Sequence, residues 1–200
     1  MNSFKWNLQT PFSEIIKSYN IDLSDFTVRK QQFELRSEIH EITHTYRVIL
    51  HSLLIGYLEN KPRQGLLAAL GGIIHDMARK NEGVDYSHGP DAARTKFDQL
   101  KTHIEKYTIT EEEQEWIKRA VSLHSHGEAE KDEKAYDTVC ILKDADGLDR
   151  VRFYDLDPKY LRMKSSHSLI KFADFIANEI LMGSNIDFPQ VIEIIESCLQ

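Results

Sequence analysis

Residues 66–76 read Leu-Leu-Ala-Ala-Leu-Gly-Gly-Ile-Ile-His-Asp, and the rest of the chain is organised around this stretch. Its first nine residues are apolar nearly all round, which predicts a central buried helix over about residues 64–80. Gly71 and Gly72 lower helix propensity, so they predict that another helix or a ligand approaches closely. The run ends in His75 and Asp76, and both side chains are good ligands for divalent metals. Taken alone, the pair could equally be a packed histidine beside a capping aspartate.

Helical patterns continue on both sides of this stretch. Apolar residues recur near the 3.6-residue period from Phe33 to Asn60, and Thr110 with Glu113 three residues later predicts a helix N-cap. The predicted helices cover about residues 11–19, 33–60, 64–80, 88–107, 111–124, 136–151, 166–182 and 188–199. No segment alternates apolar and polar residues with β-branched enrichment. We therefore predict an all-α fold.

Composition and charge limit the classes of function. The chain has 200 residues, 41% of them hydrophobic, and a net charge of -7. The negative charge argues against a nucleic acid or an anionic membrane as partner, although a small anionic substrate could bind at a local cationic site. Cys140 and Cys198 form no CxxC pair, which favours a reducing compartment. Without a signal peptide or a long apolar run, we expect a cytoplasmic protein.

Five helical elements carry histidine or aspartate residues of the metal-ligand type. Helix bundles can build metal sites from side chains on facing helices. The residues are His44, His75 with Asp76, His88, His124 with His126, and the pair Asp144 and Asp146.

The order of these residues resembles that of the HD-domain superfamily of metal-dependent phosphohydrolases. Residues 44–48, His-Thr-Tyr-Arg-Val, are similar to its HxxRV opening, and residues 73–79 to its apolar run followed by HD. Three further segments match. His88-Gly89 with Ala92-Ala93 is similar to the family's HG…A segment, and residues 120–124 are similar to its AI..H segment. Residues 142–150 are similar to its closing DADxLD element. The resemblance covers about residues 37–152.

This resemblance implies an HD-domain-like helical bundle with a metal site in its core. The bundle would comprise residues 33–200, after an N-terminal helical extension over residues 1–32. Its metal-site core spans about residues 37–152. The helices within residues 166–199 would close that core or form a homodimer, and the sequence leaves both open.

The resemblance also implies a first metal ion bound by His44, His75, Asp76 and one late aspartate. In the family's pattern this ligand follows the alanine, which indicates Asp146 rather than Asp144. Two carboxylates that lie two residues apart on a helix diverge, so Asp144 stays an alternative to Asp146 or a residue that supports the ligands.

A second ion would be bound by His88 and His124, with Asp76 bridging both ions. The gap between Asp76 and His88 is twelve residues and shorter than usual, and His124-Ser125-His126 stands where some members have His-His. A mononuclear site, with His88 and His124 lining the substrate pocket, therefore stays an alternative. Ligands rich in histidine favour one or two ions of manganese, iron, nickel, cobalt or zinc over magnesium.

Asp76 and His88 are predicted to be catalytic, together with Arg79 and Lys80. These two cations follow the His-Asp pair closely and could hold a phosphate, but a solvated helix end is an equal alternative. The same two alternatives, phosphate binding or a solvated position, apply to Arg47, Arg150 and Arg152. Lys143 could pair with Asp144. Among the other histidines, we expect His40, His51 and His126 behind the ligands or at the surface, and His103 on a helix surface.

Residues 40–44, His-Glu-Ile-Thr-His, also form an HExxH sequence, which is the zinc metalloprotease motif. In that interpretation His40 and His44 bind zinc and Glu41 activates water. It leaves the other metal-type residues without a role, and Arg47 stands where the longer metzincin pattern has glycine.

The resemblance therefore implies hydrolysis of a nucleotide or another small phosphate ester, by a phosphomonoesterase or a phosphodiesterase. Two alternatives use the same residues. One is a di-iron oxygenase of the same superfamily, and the other is a non-catalytic module that senses a nucleotide.

Overall fold

The computed structural model describes residues 10–37, 39–40, 42–180 and 185–199. These residues form nine α-helices with short 3-10 segments and contain no strand, so the all-α prediction is confirmed. The helices are α1 (Phe12–Ser18), α2 (Ile42–Leu58), α3 (Pro62–Ile74), α4 (His88–Thr95), α5 (Lys101–Lys106), α6 (Glu111–Leu123), α7 (Tyr136–Leu148), α8 (Lys164–Glu179) and α9 (Phe188–Cys198). The 3-10 segments are Leu23–Phe26, Lys30–Gln32, Phe97–Leu100, Asp149–Phe153 and Pro158–Tyr160.

Helix α3 lies in the centre of the bundle, as its apolar composition predicts. Its residues from Gly65 onwards are all buried. A Cβ added to Gly56 of α2 would lie 2.4 Å from the Cα of Gly65, so the two helices cross almost backbone to backbone. Gly72 also faces α2, whereas a Cβ added to Gly71 would lie 3.2 Å from a side chain of α6 and 3.3 Å from one of α7. The predicted close approach at the two glycines thus involves three neighbouring helices.

The described part of the segment before residue 33 packs into the same core. Phe12, Ile15 and Ile16 of α1 are buried. The ring of Phe26 lies 5.6 Å from the ring of Phe188 in α9, so this segment contacts the last helix of the described chain. Burial of such side chains stabilises the fold by about 1.5–3 kcal/mol each, so the described part of this segment belongs to the core.

Two predicted helices are shorter in the structure. The helix predicted from Phe33 begins only at Ile42. The hydroxyl of Ser37 accepts hydrogen bonds from the backbone N–H groups of Ile39 and His40, which offers the backbone an alternative to the helix. The helix predicted over residues 64–80 ends at Ile74, and the chain continues in tight turns through residues 75–79.

The helix predicted over residues 88–107 is interrupted. Helix α4 ends at Thr95, whose hydroxyl donates a hydrogen bond to the carbonyl of Asp91 one turn earlier. Such back-bonding competes with the helical ladder and bends helices. By contrast, the predicted cap of α6 is present: Glu113 N–H donates to Thr110 Oγ1, and Thr110 N–H donates to the Glu113 carboxylate.

Among the described helices, none combines the length and the apolar character needed to cross a membrane.

Candidate metal centre

The six predicted metal ligands converge where helix ends meet. His44 lies in the first turn of α2, and His88 is the first residue of α4. His75 and His124 directly follow the last residues of α3 and α6, and Asp146 lies in the last turn of α7. All of these side chains are buried except that of Asp146, which is 32% exposed. Asp144 is buried but belongs to a different contact network, described below.

Asp76 stands in the middle of this cluster and uses its two oxygens on different partners. Its Oδ2 lies 3.5 Å from His44 Nε2 and 3.7 Å from His75 Nε2. Its Oδ1 lies 3.1 Å from His88 Nε2 and 3.6 Å from His124 Nε2. The carboxylate is therefore placed between two pairs of imidazoles.

The two pairs differ in their further contacts. His44 Nε2 lies 3.1 Å from His75 Nε2 and 3.4 Å from Asp146 Oδ1. His88 Nε2 lies 2.9 Å from His124 Nε2. We call the first group, completed by Asp76 Oδ2, site A, and the second group, completed by Asp76 Oδ1, site B.

The opposite nitrogen of each ring is held by an acceptor, which orients the ring. Carbonyl and carboxylate oxygens only accept, so each of these Nδ1 atoms carries the proton and donates it. His75 Nδ1 donates to Gly72 O at 2.8 Å and His124 Nδ1 to Val121 O at 2.7 Å. Both acceptors are carbonyls in the last turn of a helix, where no intrahelical partner is available. His88 Nδ1 donates to the carbonyl of Asp85, and His44 Nδ1 donates to Asp149 at 2.7 Å.

This arrangement suits a cation in each site. A neutral imidazole with Nδ1 protonated presents only a lone pair at Nε2, so an Nε2–Nε2 contact between two such rings brings two acceptors together unless a proton or a metal ion lies between them. Ligand atoms about 2.1 Å from a common ion lie about 3.0 Å apart at a right angle and about 3.4 Å apart at the tetrahedral angle. The distances within both sites, from 2.9 to 3.7 Å, match these edges. Buried histidine and aspartate groups of this cluster could therefore hold a metal ion.

The protonation equilibria of site A show that this site favours positive charge. Burial lowers the pKa of His44, but the carboxylates of Asp146, Asp149 and Asp76 outweigh burial and raise this pKa to about 10. Burial lowers the pKa of His75 to about 4, so His75 is a neutral acceptor. Burial raises the pKa of Asp76, but the surrounding histidines hold that pKa well below its usual range. Without a metal, His44 thus carries a proton where the ion would be, and metal binding would displace it.

Asp149 accepts a hydrogen bond from His44 on the side of the ring that faces away from site A, and no role for Asp149 was predicted from the sequence. Besides His44, its buried carboxylate accepts from Arg47 Nε and Nη2 and lies 2.7 Å from Arg152 Nε. Arg47 also donates to the carbonyl of Ile180. The signal in the sequence was His44 and Arg47 three residues apart on one helix face, since both donate to one carboxylate.

The side chains of Asp144 and Lys143 form hydrogen bonds with backbone groups and do not pair with each other. Asp144 accepts from the backbone N–H groups of Arg162 and Met163, before α8. Lys143 Nζ donates to the carbonyls of Leu123 and Gly127 at 2.7 and 2.8 Å. The predicted pairing of Lys143 with Asp144 is therefore wrong. Lys143 instead fixes the turn that carries His124.

The cluster forms one wall of a cavity of about 750 Å³. Arg79 lines this cavity, lies 3.5 Å from Asp76 Oδ1 and donates to the carbonyl of Gly83. Lys80 does not line it: its exposed ammonium pairs with Asp91 at 2.9 Å. The structure thus brings Arg79, but not Lys80, to the predicted site.

The remaining predicted cations and histidines divide between the cavity and the core. Arg150 and His126 line the cavity, and Arg150 pairs with Asp155. His51 and His103 are buried, in contrast to the surface position expected for His103. His40, which was expected behind the ligands or at the surface, contacts one of the ligands, since its Nδ1 lies 2.9 Å from Asp76 Oδ2.

The position of His40 also bears on the HExxH interpretation. That motif places both histidines on one helix, but His40 precedes α2, which begins at Ile42. Glu41, the proposed general base of a protease, lies outside the described residues.

Comparisons of the chain with models of protein families, with curated proteins and with solved structures found no match in any of the three. The interpretation of the site therefore depends on its own geometry and chemistry.

Proposed function

We propose that this protein is a metal-dependent phosphohydrolase, a phosphomonoesterase or phosphodiesterase, that acts on a nucleotide or another small phosphate ester. The observation that carries this proposal is the carboxylate of Asp76, set between two pairs of converging Nε2 atoms in the wall of a cavity. The resemblance to the HD-domain superfamily adds to it.

Each of the two sites has residues to hold an ion. His44, His75, Asp146 and Asp76 Oδ2 would hold the ion of site A. His88, His124 and Asp76 Oδ1 would hold that of site B. When bound, divalent ions stabilise the charge that develops on a phosphoryl group and make a water molecule more acidic.

The charge of the cavity favours an anionic substrate once metal is bound. Its lining holds equal numbers of cationic and acidic side chains, so a single divalent ion makes it net positive. The cations are Arg79, Lys143, Arg150, Arg152 and Arg162, and the acids are Asp76, Glu82, Asp85, Glu128 and Asp146. The overall charge of -7 is thus no obstacle to phosphate binding.

Arg79 and Arg152 are the chain's best placed groups for the phosphate. Arg79 is fixed by the Gly83 carbonyl, and Arg152 is fixed by Asp149. A guanidinium held in this way loses little freedom on binding a phosphate and can donate two parallel hydrogen bonds to it. The two residues would orient the phosphoryl group toward Asp76 and its ions.

The test is turnover of a panel of phosphomonoesters and phosphodiesters with manganese, nickel, cobalt or iron. Asp76→Ala should lower turnover at least about 100-fold. Asp91→Ala is the matched control, because Asp91 pairs with Lys80 and Arg94 outside the cavity lining. Equal turnover by Asp76→Ala and wild type would contradict the proposal.

Two other outcomes would select the alternative functions. Saturable binding of a nucleotide without turnover under every metal would indicate a sensor. Turnover that needs both iron and O₂ would indicate an oxygenase.

A further inference from the structure

Exposed apolar side chains concentrate at the mouth of the metal cavity. Among the described residues, five large apolar side chains are exposed, and four of them line this cavity. These are Val84, Tyr86, Phe153 and Tyr160, with Tyr86 and Tyr160 exposed by 63% and 65%. The fifth, Tyr154, is 94% exposed and lines a different cavity beside α8. We call Tyr86, Phe153 and Tyr160 the aromatic rim.

The rim is assembled from separate parts of the chain. Tyr86 belongs to the loop before α4, Phe153 ends the 3-10 segment Asp149–Phe153, and Tyr160 ends the segment Pro158–Tyr160. Three unconnected segments thus each present an aromatic ring to one opening. A cluster of exposed apolar groups with polar surroundings indicates a surface that contacts a ligand or a partner.

A cation or a histidine ring lies beside each ring of the rim. The guanidinium of Arg152 lies 3.9 Å from the ring centroid of Phe153, and the rings of Tyr86 and His126 lie 4.8 Å apart. Lys159 Nζ lies 4.7 Å from the ring centroid of Tyr160. Aromatic rings beside cations bind planar, electron-rich rings by stacking, whatever hydrogen-bonding groups those rings carry.

The predicted metal ligands and the aromatic rim lie at different depths in the cavity, and this difference determines how a ligand would be oriented. Apart from Asp146, the predicted metal ligands are buried, whereas the rings of the rim are exposed, so the ligands lie deeper in the cavity than the rim. The volume of about 750 Å³ falls within the range of small-molecule sites. A fitting ligand has an anionic end inside and a planar ring outside.

We propose that Tyr86 and Tyr160 bind the leaving group of the substrate, and that this group carries a planar aromatic ring of the nucleobase type. This inference rests on the proposed phosphohydrolase function. In the reaction, a water oxygen bonds to phosphorus, the P–O bond to the ring-bearing alcohol breaks, and that alcohol leaves with a proton from the water. The two tyrosines determine specificity and do not touch the reacting atoms.

The test compares a substrate that carries a ring with one that lacks it. The probes are adenosine 5′-monophosphate and glycerol 3-phosphate for kcat/KM, and adenosine alone for equilibrium binding by calorimetry. The variants are Tyr86→Ala and Tyr160→Ala, with Tyr86→Phe and Tyr160→Phe as conservative rescues. Tyr154→Ala is the matched control, since it removes an exposed tyrosine from outside the metal cavity.

Each alanine variant should lower kcat/KM for the nucleotide and weaken adenosine binding by at least about fivefold. The same alanine variants should keep the wild-type kcat/KM for glycerol 3-phosphate. The phenylalanine variants and Tyr154→Ala should keep the wild-type kcat/KM for the nucleotide and the wild-type affinity for adenosine. An equal loss for both substrates, or no loss, would overturn the inference. A changed oligomeric state of the alanine variants, with unaltered adenosine binding, would also overturn it and identify the rim as a protein interface.

The two proposals fail in different ways. If glycerol 3-phosphate is hydrolysed but adenosine binding does not depend on the tyrosines, the rim inference fails and the phosphohydrolase stands. If no ester is hydrolysed but adenosine binding depends on them, the proposed function fails and the ring subsite stands.

Discussion

Replacement of Asp149 by asparagine keeps the volume of the side chain and removes its charge. Asp149 accepts from His44 Nδ1 at 2.7 Å and from Arg47, and it lies 2.7 Å from Arg152 Nε. An asparagine has one acceptor oxygen for these donors and turns its own N–H groups toward the others. The ring of His44 would then lose the contact that fixes its orientation toward site A.

The size of both effects follows from these contacts. Loss of the partner that orients a metal-binding histidine typically lowers metal affinity about 10–100-fold. Removal of one partner of a buried ion pair costs about 3–5 kcal/mol of stability, and we expect the lower end because asparagine keeps part of the hydrogen bonding. Asp149→Asn should thus be both less stable and weaker in metal binding.

Asp144→Asn is the control that separates these two effects. Asp144 is an equally buried aspartate near the end of α7, but its partners are the backbone N–H groups of Arg162 and Met163 and, at 3.4 Å, the guanidinium of Arg162. It should lose stability, measured by urea unfolding, and keep the metal affinity, measured by competition with a chelating dye. Equal metal affinity in Asp149→Asn and wild type, or an equal loss in Asp144→Asn, would refute the role of Asp149 in orienting His44.

Three further predictions concern packing, pH and the cavity cations. Gly56→Ala places a Cβ 2.4 Å from the backbone of α3 and should cost about 1–3 kcal/mol of unfolding free energy. Gly147→Ala, with its nearest contact at 3.7 Å, should cost nothing, and equal urea midpoints for the two variants would contradict this. Hydrogen bonding to an arginine of α3 lowers the pKa of Glu113 to about 2, so its stabilisation is complete above the unfolded-state pKa of about 4.3 and is lost as the pH falls toward 2. Glu113→Gln should therefore cost about 1 kcal/mol near neutrality, after allowance for solvent screening, and nothing in strong acid; a pH-independent cost would be inconsistent with this. Arg79→Ala should lower kcat/KM for phosphate esters about tenfold or more, as expected for a lost charged hydrogen bond, while Lys80→Ala should not change it, and a loss confined to Lys80→Ala would reverse the assignment.

The features that could be predicted from the sequence are those with a local signal. The apolar run before His75 predicts the buried helix, and Thr110 with Glu113 predicts the start of α6. The convergence of the metal-type ligands was implied by the resemblance of their order in the sequence to that of the HD-domain superfamily.

The features that could not be predicted depend on contacts between distant parts of the chain. Asp149 meets His44 across 105 residues of sequence, and nothing near Asp149 indicates that partner. The start of α2 is set by the hydroxyl of Ser37, and a single serine is a weak signal beside a helical apolar pattern. Lys80 follows Arg79 directly, yet its position outside the cavity is decided by Asp91 in the next helix.

The most direct test of the metal centre is the metal content of the purified chain, measured by plasma mass spectrometry after equilibration with a transition metal and desalting. The wild-type chain should retain two ions, His124→Ala should retain one, and Asp76→Ala, which removes the shared carboxylate, should retain fewer than His124→Ala. A wild-type chain that retains no metal, or an Asp76→Ala variant with the wild-type content, would contradict the account.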